Sequence, residues 1–185
     1  NNIMQEEIFP LVDEQGNVIG QATRSECHSG SMLLHPVIHL HVFNEEGKLY
    51  MQKRSSTKDI QPDKWDSSVG GHIDLNETAT EAALREAREE IGLNDLTLHY
   101  LDKYIIETDR ERELTYCFYT ITNQIPKIDM KEVSDGRFWE ISEIKKQLGK
   151  NIFTPNFELD FGHFISKGLD HLLQANMNRI RNSLN

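Results

Sequence analysis

Three acidic side chains, Glu86, Glu89 and Glu90, are crowded into the stretch REAREEIGL. Like charges one turn apart on a helix repel each other, at a cost of roughly a few tenths of a kcal/mol per pair. Such a cluster is explained either as a solvated acidic face or as a binding site for a cation. Mg²⁺ and Mn²⁺ prefer carboxylate oxygens, and Mg²⁺ commonly bridges them to substrate phosphates. If the cluster binds a cation, it would suit a metal-dependent site for phosphoryl or pyrophosphoryl transfer.

The element that must position these carboxylates is a helix. Thr78 and Glu81 have the spacing of a capping box, and Gly92 stands where a helix C-terminus favours a left-handed residue. Between these signals, Ala79–Ile91 is rich in strong helix formers. The sequence predicts about three to four helical turns. The three glutamates then share a sector about 100° wide, and alanines supply the buried side.

The same stretch resembles the signature of the Nudix superfamily. It has Gly71, then five residues, Glu77, then seven residues, and finally the run Arg85–Leu93. Every fixed position is matched, although Ala87 is a small residue at an aliphatic position. The resemblance implies an α/β fold, a Nudix-type α/β/α sandwich around a mixed β-sheet, with residues 1–185 as a single domain and the Nudix box at 71–93.

The resemblance also implies roles for the residues of the box. The three clustered glutamates would bind Mg²⁺ or Mn²⁺, and Glu89 and Glu90 would take part in catalysis. Glu77 would pair with Arg85 and fix the loop against the helix, so both belong to the catalytic group. Gly71 would let the backbone bend close to the metal, because it has no Cβ.

Composition limits the classes of function. The chain has 185 residues, 37% of them hydrophobic, which is enough for the core of one domain. A net charge of −10 excludes tight binding to a nucleic acid polymer, whereas a small diphosphate that arrives with a divalent metal is compatible. We find no apolar run of about 18 residues and no signal peptide, so no membrane association is expected. Cys27 and Cys117 follow no disulfide or CxxC pattern, which favours a reducing, cytoplasmic location.

Apolar and alternating segments predict the strands of the sheet. The turn signature at Asp13–Asn17 joins the first two of them into a hairpin. The predicted strands are Ile8–Val12, Val18–Arg24, Val37–Phe43, Leu49–Lys53, Leu96–Glu107, Glu113–Thr122 and Arg137–Ile141. In the third strand, His39 and His41 lie on one face and aliphatic residues on the other. His39, His41, Tyr104 and Phe153 are candidates to line a pocket, although packing is the simpler explanation for each.

Two helices are predicted after the strands. Ser142 is expected to cap a helix that ends at about Leu148. Thr154 and Pro155 suit a helix start, and apolar residues then recur at helical spacing, which predicts one long helix over about 155–178. That helix would cover the core or form the interface of a homodimer.

A second resemblance covers more of the chain. The stretches VDEQGNVIG, ATRSECH, FNEEGKLYMQKRSSTK and PDKW are similar to type I isopentenyl-diphosphate isomerases, a branch of the Nudix superfamily. In those isomerases three His and two Glu hold one metal, and Arg54 and Lys58 match positions that contact the diphosphate. The matching metal positions here are His28, His35, His72, Glu111 and Glu113. The alternatives are scattered histidines and a solvated basic loop.

Two departures from the isomerases indicate a different reaction. Gly70 replaces the cysteine that serves their carbon chemistry, and Glu86 and Glu89 are kept where they typically lack some of the box glutamates. We therefore predict a hydrolase that cleaves a phosphoanhydride bond in a nucleoside diphosphate linked to another group, or in a similar small diphosphate. Glu89 or Glu90 would be the general base, with Glu132 as a further candidate. The alternatives are an isomerase acting on isopentenyl diphosphate and a non-catalytic nucleotide-sensing module. The substrate and the oligomeric state stay open.

Overall fold

The computed structural model describes residues 6–58, 60–166 and 168–185. Within them, a seven-stranded mixed sheet and a two-stranded hairpin are accompanied by five helices. The hairpin strands are β1 (Ile8–Val12) and β2 (Val18–Thr23). The sheet strands are β3 (Leu34–Phe43), β4 (Leu49–Arg54), β5 (Trp65–Asp66), β6 (Val69–His72), β7 (His99–Glu107), β8 (Arg112–Ile121) and β9 (Val133–Trp139). The helices are α1 (Arg24–His28), α2 (Ala79–Ile91), α3 (Ile141–Gln147), α4 (Pro155–Ser166) and α5 (Leu169–Ser183).

The sheet opens where its two central strands part. β3 runs parallel to β8 along its whole length, whereas β3 and β4 pair at Phe43 and Leu49 among the described residues. Beyond that point β6 pairs with Val37–Leu40 of β3, and β5 and β9 pair with β4. Because β6 is followed by a short loop and then by α2, the divergence of β3 and β4 places the start of the box in the opening.

The two faces of the sheet carry different cores. Ile38, Leu40 and Val42 of β3 pack with the buried alanines of α2 on one face. On the other face, Phe43 packs with the phenylalanines of α4 and with the start of α5. Alternate residues of a strand point to opposite faces, so β3 serves both cores. The expected α/β/α sandwich around a mixed sheet is confirmed.

The box helix forms at the predicted residues. The Thr78 side chain accepts from the backbone of Glu81, and the Glu81 side chain accepts in return from the backbone of Thr78. Gly92 ends the helix with φ 66°. In this left-handed conformation a residue without Cβ carries no steric penalty.

The single helix predicted over about 155–178 is wrong. The structure has α4 and α5 instead, and Gly168 precedes α5 with φ 75°. Helical spacing continues through the break because Phe164 and Leu169 both enter the same core. No helix in the described part of the chain has the length and apolar character needed to cross a membrane.

Some other boundaries also differ from the prediction. The strand predicted to reach Arg24 ends at Thr23, which caps the unpredicted helix α1 through Glu26. The helix expected to start after Ser142 begins at Ile141, where the backbone of Glu140 donates to Glu143. The predicted start of β3 is three residues late, that of β7 three residues early and that of β9 four residues late. The ends of these strands are set by hydrogen bonds to neighbouring strands, and the alternation of apolar residues along one strand does not reveal such pairing.

Phe157→Ala is expected to destabilise the protein by about 3–5 kcal/mol, because it leaves a cavity in a fully buried part of the core. Leu159 of the same helix is 54% exposed, so Leu159→Ala should change the free energy of unfolding by about 0.5 kcal/mol or less. Urea unfolding followed by circular dichroism measures both. Equal losses in the two variants would contradict the assignment of this face of α4 to the core.

Candidate active site

Arg85 ties the loop between β6 and α2 to the helix. Its Nε and one terminal nitrogen donate to the two carboxylate oxygens of Glu77, at 2.8 and 3.0 Å. The same terminal nitrogen donates to the carbonyl of His72 at 3.0 Å, and the other donates to Glu86 at 2.7 Å. Bidentate pairs of this kind fix geometry as well as charge. The expected pairing of Glu77 with Arg85 is confirmed.

Gly71 allows the strand to pass directly against Glu86. A Cβ at position 71 would lie 2.7 Å from Cγ of Glu86, which is closer than carbon atoms approach without a shift of one of them. Gly71 is not among the glycines with a positive φ. Lack of space for a side chain, rather than backbone conformation, therefore requires a glycine at this position. Any side chain at position 71 would therefore collide with Glu86 in its present position.

The three glutamates of the helix differ in environment. Glu86 and Glu90 are half-buried, whereas the Glu89 side chain is 60% exposed. Burial raises the pKa of Glu86, and burial with the charge of Glu86 raises the pKa of Glu90 to about 8. The backbone N–H of Gly70 donates to Glu90 at 3.2 Å. A bound cation would remove the unfavourable crowding of these carboxylates, so their chemistry fits Mg²⁺ or Mn²⁺.

A second group of residues from four separate segments meets beside the box. His28 of α1 lies with its Nε2 3.2 Å from Nε2 of His72 of β6. The same His28 nitrogen is 3.1 Å from the Glu111 carboxylate, just before β8. His35 of β3 has its Nε2 3.8 Å from Glu111 and 3.9 Å from Glu113. The structure therefore brings together all five residues that the isomerase resemblance selected.

The donor atoms of this His/Glu cluster suit a metal. The Nδ1 of His35 lies 2.9 Å from the carbonyl of Leu33, so this nitrogen carries the proton and Nε2 keeps its lone pair. Nε2 of His35 is buried without a hydrogen-bond partner among the described residues, and the Glu111 oxygen 3.1 Å from His28 is close to that ring without an aligned hydrogen bond. Burial lowers the pKa of His35 and lowers that of His72 to about 3, which keeps the rings neutral. Neutral imidazoles and carboxylates are ligands for divalent metals.

The box helix and the His/Glu cluster meet at one cavity of about 1240 Å³, whose wall includes His72, Glu111 and Glu113 of the cluster. Glu86, Glu89 and Glu90 form part of its wall, and the predicted phosphate contacts Arg54 and Lys58 form another part. The further cationic residues of the wall are Arg24, Arg85 and Arg110. Opposite charges on the walls suit a ligand that carries its own negative charge together with a cation.

The candidate base Glu132 lies at the cavity but has a partner. Its carboxylate is 2.7 Å from Nζ of Lys58, and its side chain is 68% exposed. Arg54 donates from Nε to the carbonyl of Ile60 at 3.0 Å. The residues predicted to bind phosphate are therefore held in place by groups of the same wall.

Of the four candidates for lining a pocket, His39 lies in the cavity wall as the structure describes it. His41 and Phe153 are buried in packing, and Tyr104 bonds to Asp160 of α4. Asp160 was missed in the sequence. The available signal was a single acidic residue on the apolar side of an amphipathic helix, next to Phe157, Phe161 and Phe164.

Comparisons with known proteins agree with this geometry. The family described as NUDIX domain matches residues 33–157. Isopentenyl-diphosphate Delta-isomerase 1 of Photorhabdus laumondii is 28% identical over 171 residues, 88% of this chain and 97% of that protein. An uncharacterized Nudix hydrolase of Streptomyces coelicolor is 29% identical over 153 residues, 82% of this chain and 84% of that protein. The crystal structure of DR0079 from Deinococcus radiodurans has a TM-score of 0.67 at 24% identity, over 80% of this chain and 92% of that one.

Gly71→Ala is expected to lower the free energy of unfolding by about 1–3 kcal/mol, because the added methyl group displaces Glu86. Gly70→Ala is the matched control. A Cβ at position 70 would have its nearest contact at 3.7 Å, an ordinary van der Waals distance, so little loss is expected. Chemical unfolding of both variants tests the comparison, and an equal effect at the two positions would contradict it.

Glu77→Gln should make stability less sensitive to acid. The hydrogen bonds from Arg85 hold the pKa of Glu77 below its usual range in the folded protein. The resulting stabilisation is complete above the pKa of the unfolded chain and is lost as the pH falls through the pKa of the folded state. Urea unfolding of wild type and variant from pH 7 to pH 3 measures the difference. An identical decline in both proteins would contradict the assignment.

Proposed function

Because the chain belongs to the NUDIX domain family, we propose that it is a metal-dependent hydrolase of small diphosphates. The bond cleaved is a phosphoanhydride, in a nucleoside diphosphate linked to another group or in a similar molecule. One observation carries the proposal: Glu86, Glu89 and Glu90 converge on a cavity whose wall also holds Arg54 and Lys58. At about 1240 Å³, the cavity has room for a ligand of nucleotide size.

The residues of the box would have two roles, metal binding and the positioning of the metal ligands. Glu86, Glu89 and Glu90, beside Gly71, would hold Mg²⁺ or Mn²⁺. When bound, such an ion supplies neutralisation of phosphate oxygens and lowers the pKa of a coordinated water. Arg85 and Glu77 keep Glu86 in position through their hydrogen bonds. Correct placement of this kind accounts for a large part of the catalysis of phosphoryl transfer.

A carboxylate beside the attacking water would accept its proton. Glu89 and Glu90 come first for this role, since both lie in the wall of the cavity and belong to the rigid helix. Glu132 comes second, because it lies outside the box helix and is held by Lys58 at 2.7 Å, closer than the 3.4 Å between Glu89 and Arg85. Arg54 and Lys58 would bind the phosphate groups, and their charges would stabilise the leaving group as the bond breaks.

The His/Glu cluster supports a second candidate, an isomerase similar to those that act on isopentenyl diphosphate. Its five residues lie together, and the Photorhabdus isomerase is similar over most of the chain. Gly70 argues against this candidate, because it offers no side chain to move a proton to or from carbon. In the hydrolase we assign the cluster to a further metal or to a phosphate contact. A nucleotide-sensing module without turnover is a third candidate.

Glu89→Gln is expected to lower the hydrolysis rate at least about a hundredfold, because it removes a charged oxygen from the site. The assay offers nucleotide sugars, dinucleotides and isopentenyl diphosphate with Mg²⁺ or Mn²⁺, and ³¹P NMR identifies the products. Glu45→Gln, at an exposed turn, is the control and should keep the wild-type rate. Formation of an allylic diphosphate would replace the hydrolase with the isomerase. If the protein binds one of these compounds but hydrolyses or isomerises none of them, the nucleotide-sensing module is the remaining candidate.

A further inference from the structure

A buried carboxylate lies beneath the cavity on the face of the sheet opposite the box helix. Asp160 of α4 is fully buried, and one of its oxygens accepts from Nδ1 of His39 at 2.7 Å and from Nε2 of His41 at 3.1 Å. Its other oxygen accepts from the hydroxyl of Tyr104. A buried anion is stable only when donors and opposite charge surround it, and this group supplies both.

The two histidines that share Asp160 differ in what lies on their other side. His41 is 1% exposed and packs edge-on against Phe164 in the core. His39 reaches the wall of the cavity, where its side chain is 12% exposed. Its Nδ1 is taken by Asp160, and its Nε2 has no hydrogen-bond partner among the residues that the structure describes. His39 therefore reaches the cavity wall with one ring nitrogen not used by Asp160, whereas His41 is not part of the wall.

Asp160 also sets the charge of His39. Burial lowers the pKa of His39, but the charge and hydrogen bond of Asp160 outweigh it and raise that pKa to about 9. Burial likewise acts to raise the pKa of Asp160, and the two histidines hold it well below its usual range. The pairing with Asp160 therefore favours the imidazolium form of His39, in which both ring nitrogens carry protons.

Gly70 leaves space in front of the imidazole. His39 and Gly70 are partners in the pairing of β3 with β6. A Cβ at position 70 would point at Cδ2 of His39, at a distance of 3.7 Å. A larger side chain at this position would extend from that point over the ring. The glycine therefore keeps the ring accessible to a ligand in the cavity.

We propose that His39, held by Asp160, binds the substrate by donating a hydrogen bond from Nε2 to an anionic phosphate oxygen. Asp160 is a positioning residue, since it acts through His39. This contact involves none of the box glutamates and neither Arg54 nor Lys58, because the residue that holds His39 belongs to α4. The inference rests on the proposed diphosphate substrate and extends the binding site to α4.

The test measures binding of imidodiphosphate, a non-hydrolysable analogue of pyrophosphate, to the full chain with Mg²⁺ by titration calorimetry. His39→Asn should weaken binding at least about tenfold, as expected for a lost hydrogen bond to a charged group. His41→Asn is the matched control, because it removes a donor from the same oxygen of Asp160 without touching the cavity. It should change binding less than about threefold. Equal effects of the two variants, or no binding by the wild type, would overturn the proposal.

A direct measurement covers the case in which a variant does not fold. In wild-type protein labelled with ¹⁵N-histidine, imidodiphosphate should shift the Nε2 resonance of His39 and leave that of His41 in place. No shift at His39 would overturn the proposal. Cys117 lies near the donor atoms of His39 and Asp160, so these three residues could instead bind a metal. Stoichiometric zinc in the wild type that is absent from Cys117→Ser would therefore also overturn the proposal.

The outcome is separable from that of the proposed function. If the wild type binds imidodiphosphate but hydrolyses no diphosphate, the hydrolase assignment fails while the difference between His39→Asn and His41→Asn still supports the contact. If diphosphates are hydrolysed and the two variants bind equally, the contact is wrong and the hydrolase stands.

Discussion

The guanidinium of Arg85 is the interaction on which the site depends. It bonds to Glu77 in the loop, to the carbonyl of His72 at the end of β6 and to Glu86 on its own helix. One side chain therefore fixes the strand, the loop and the carboxylates relative to each other. His72 also belongs to the His/Glu cluster, so the same guanidinium links the box glutamates to that cluster. Without Arg85, repulsion between the crowded carboxylates would favour other arrangements of their side chains.

The sheet supplies the second constraint, because β3 serves both layers of the sandwich. Its aliphatic residues pack under the box helix, and His39 and His41 point the other way to Asp160. The cavity opens where β3 parts from β4, and there side chains from both layers reach one space. A ligand in that space would touch residues that the core otherwise keeps apart.

The features that short-range sequence signals determine, such as helix ends, could be predicted from the sequence. The box helix formed at Ala79–Ile91 because its cap, its composition and Gly92 all favour the same ends. The break at Gly168 was missed, since apolar spacing continues across it. His35 and Glu111 were selected through a resemblance, and their spacing alone did not distinguish them from scattered residues. Asp160 could not be placed, because its partner His39 lies 121 residues away and no local pattern connects the two.

That separation has a consequence for how the protein folds. The cavity wall draws on segments as far apart as Glu7 and Asn156, and β3 must pair in parallel with β8, which places Leu34 beside Arg112. Long-range pairing of this kind forms slowly and late. Partly folded chains therefore lack a complete pocket, and a ligand that fills it stabilises the finished native state alone, which raises the melting temperature with ligand concentration.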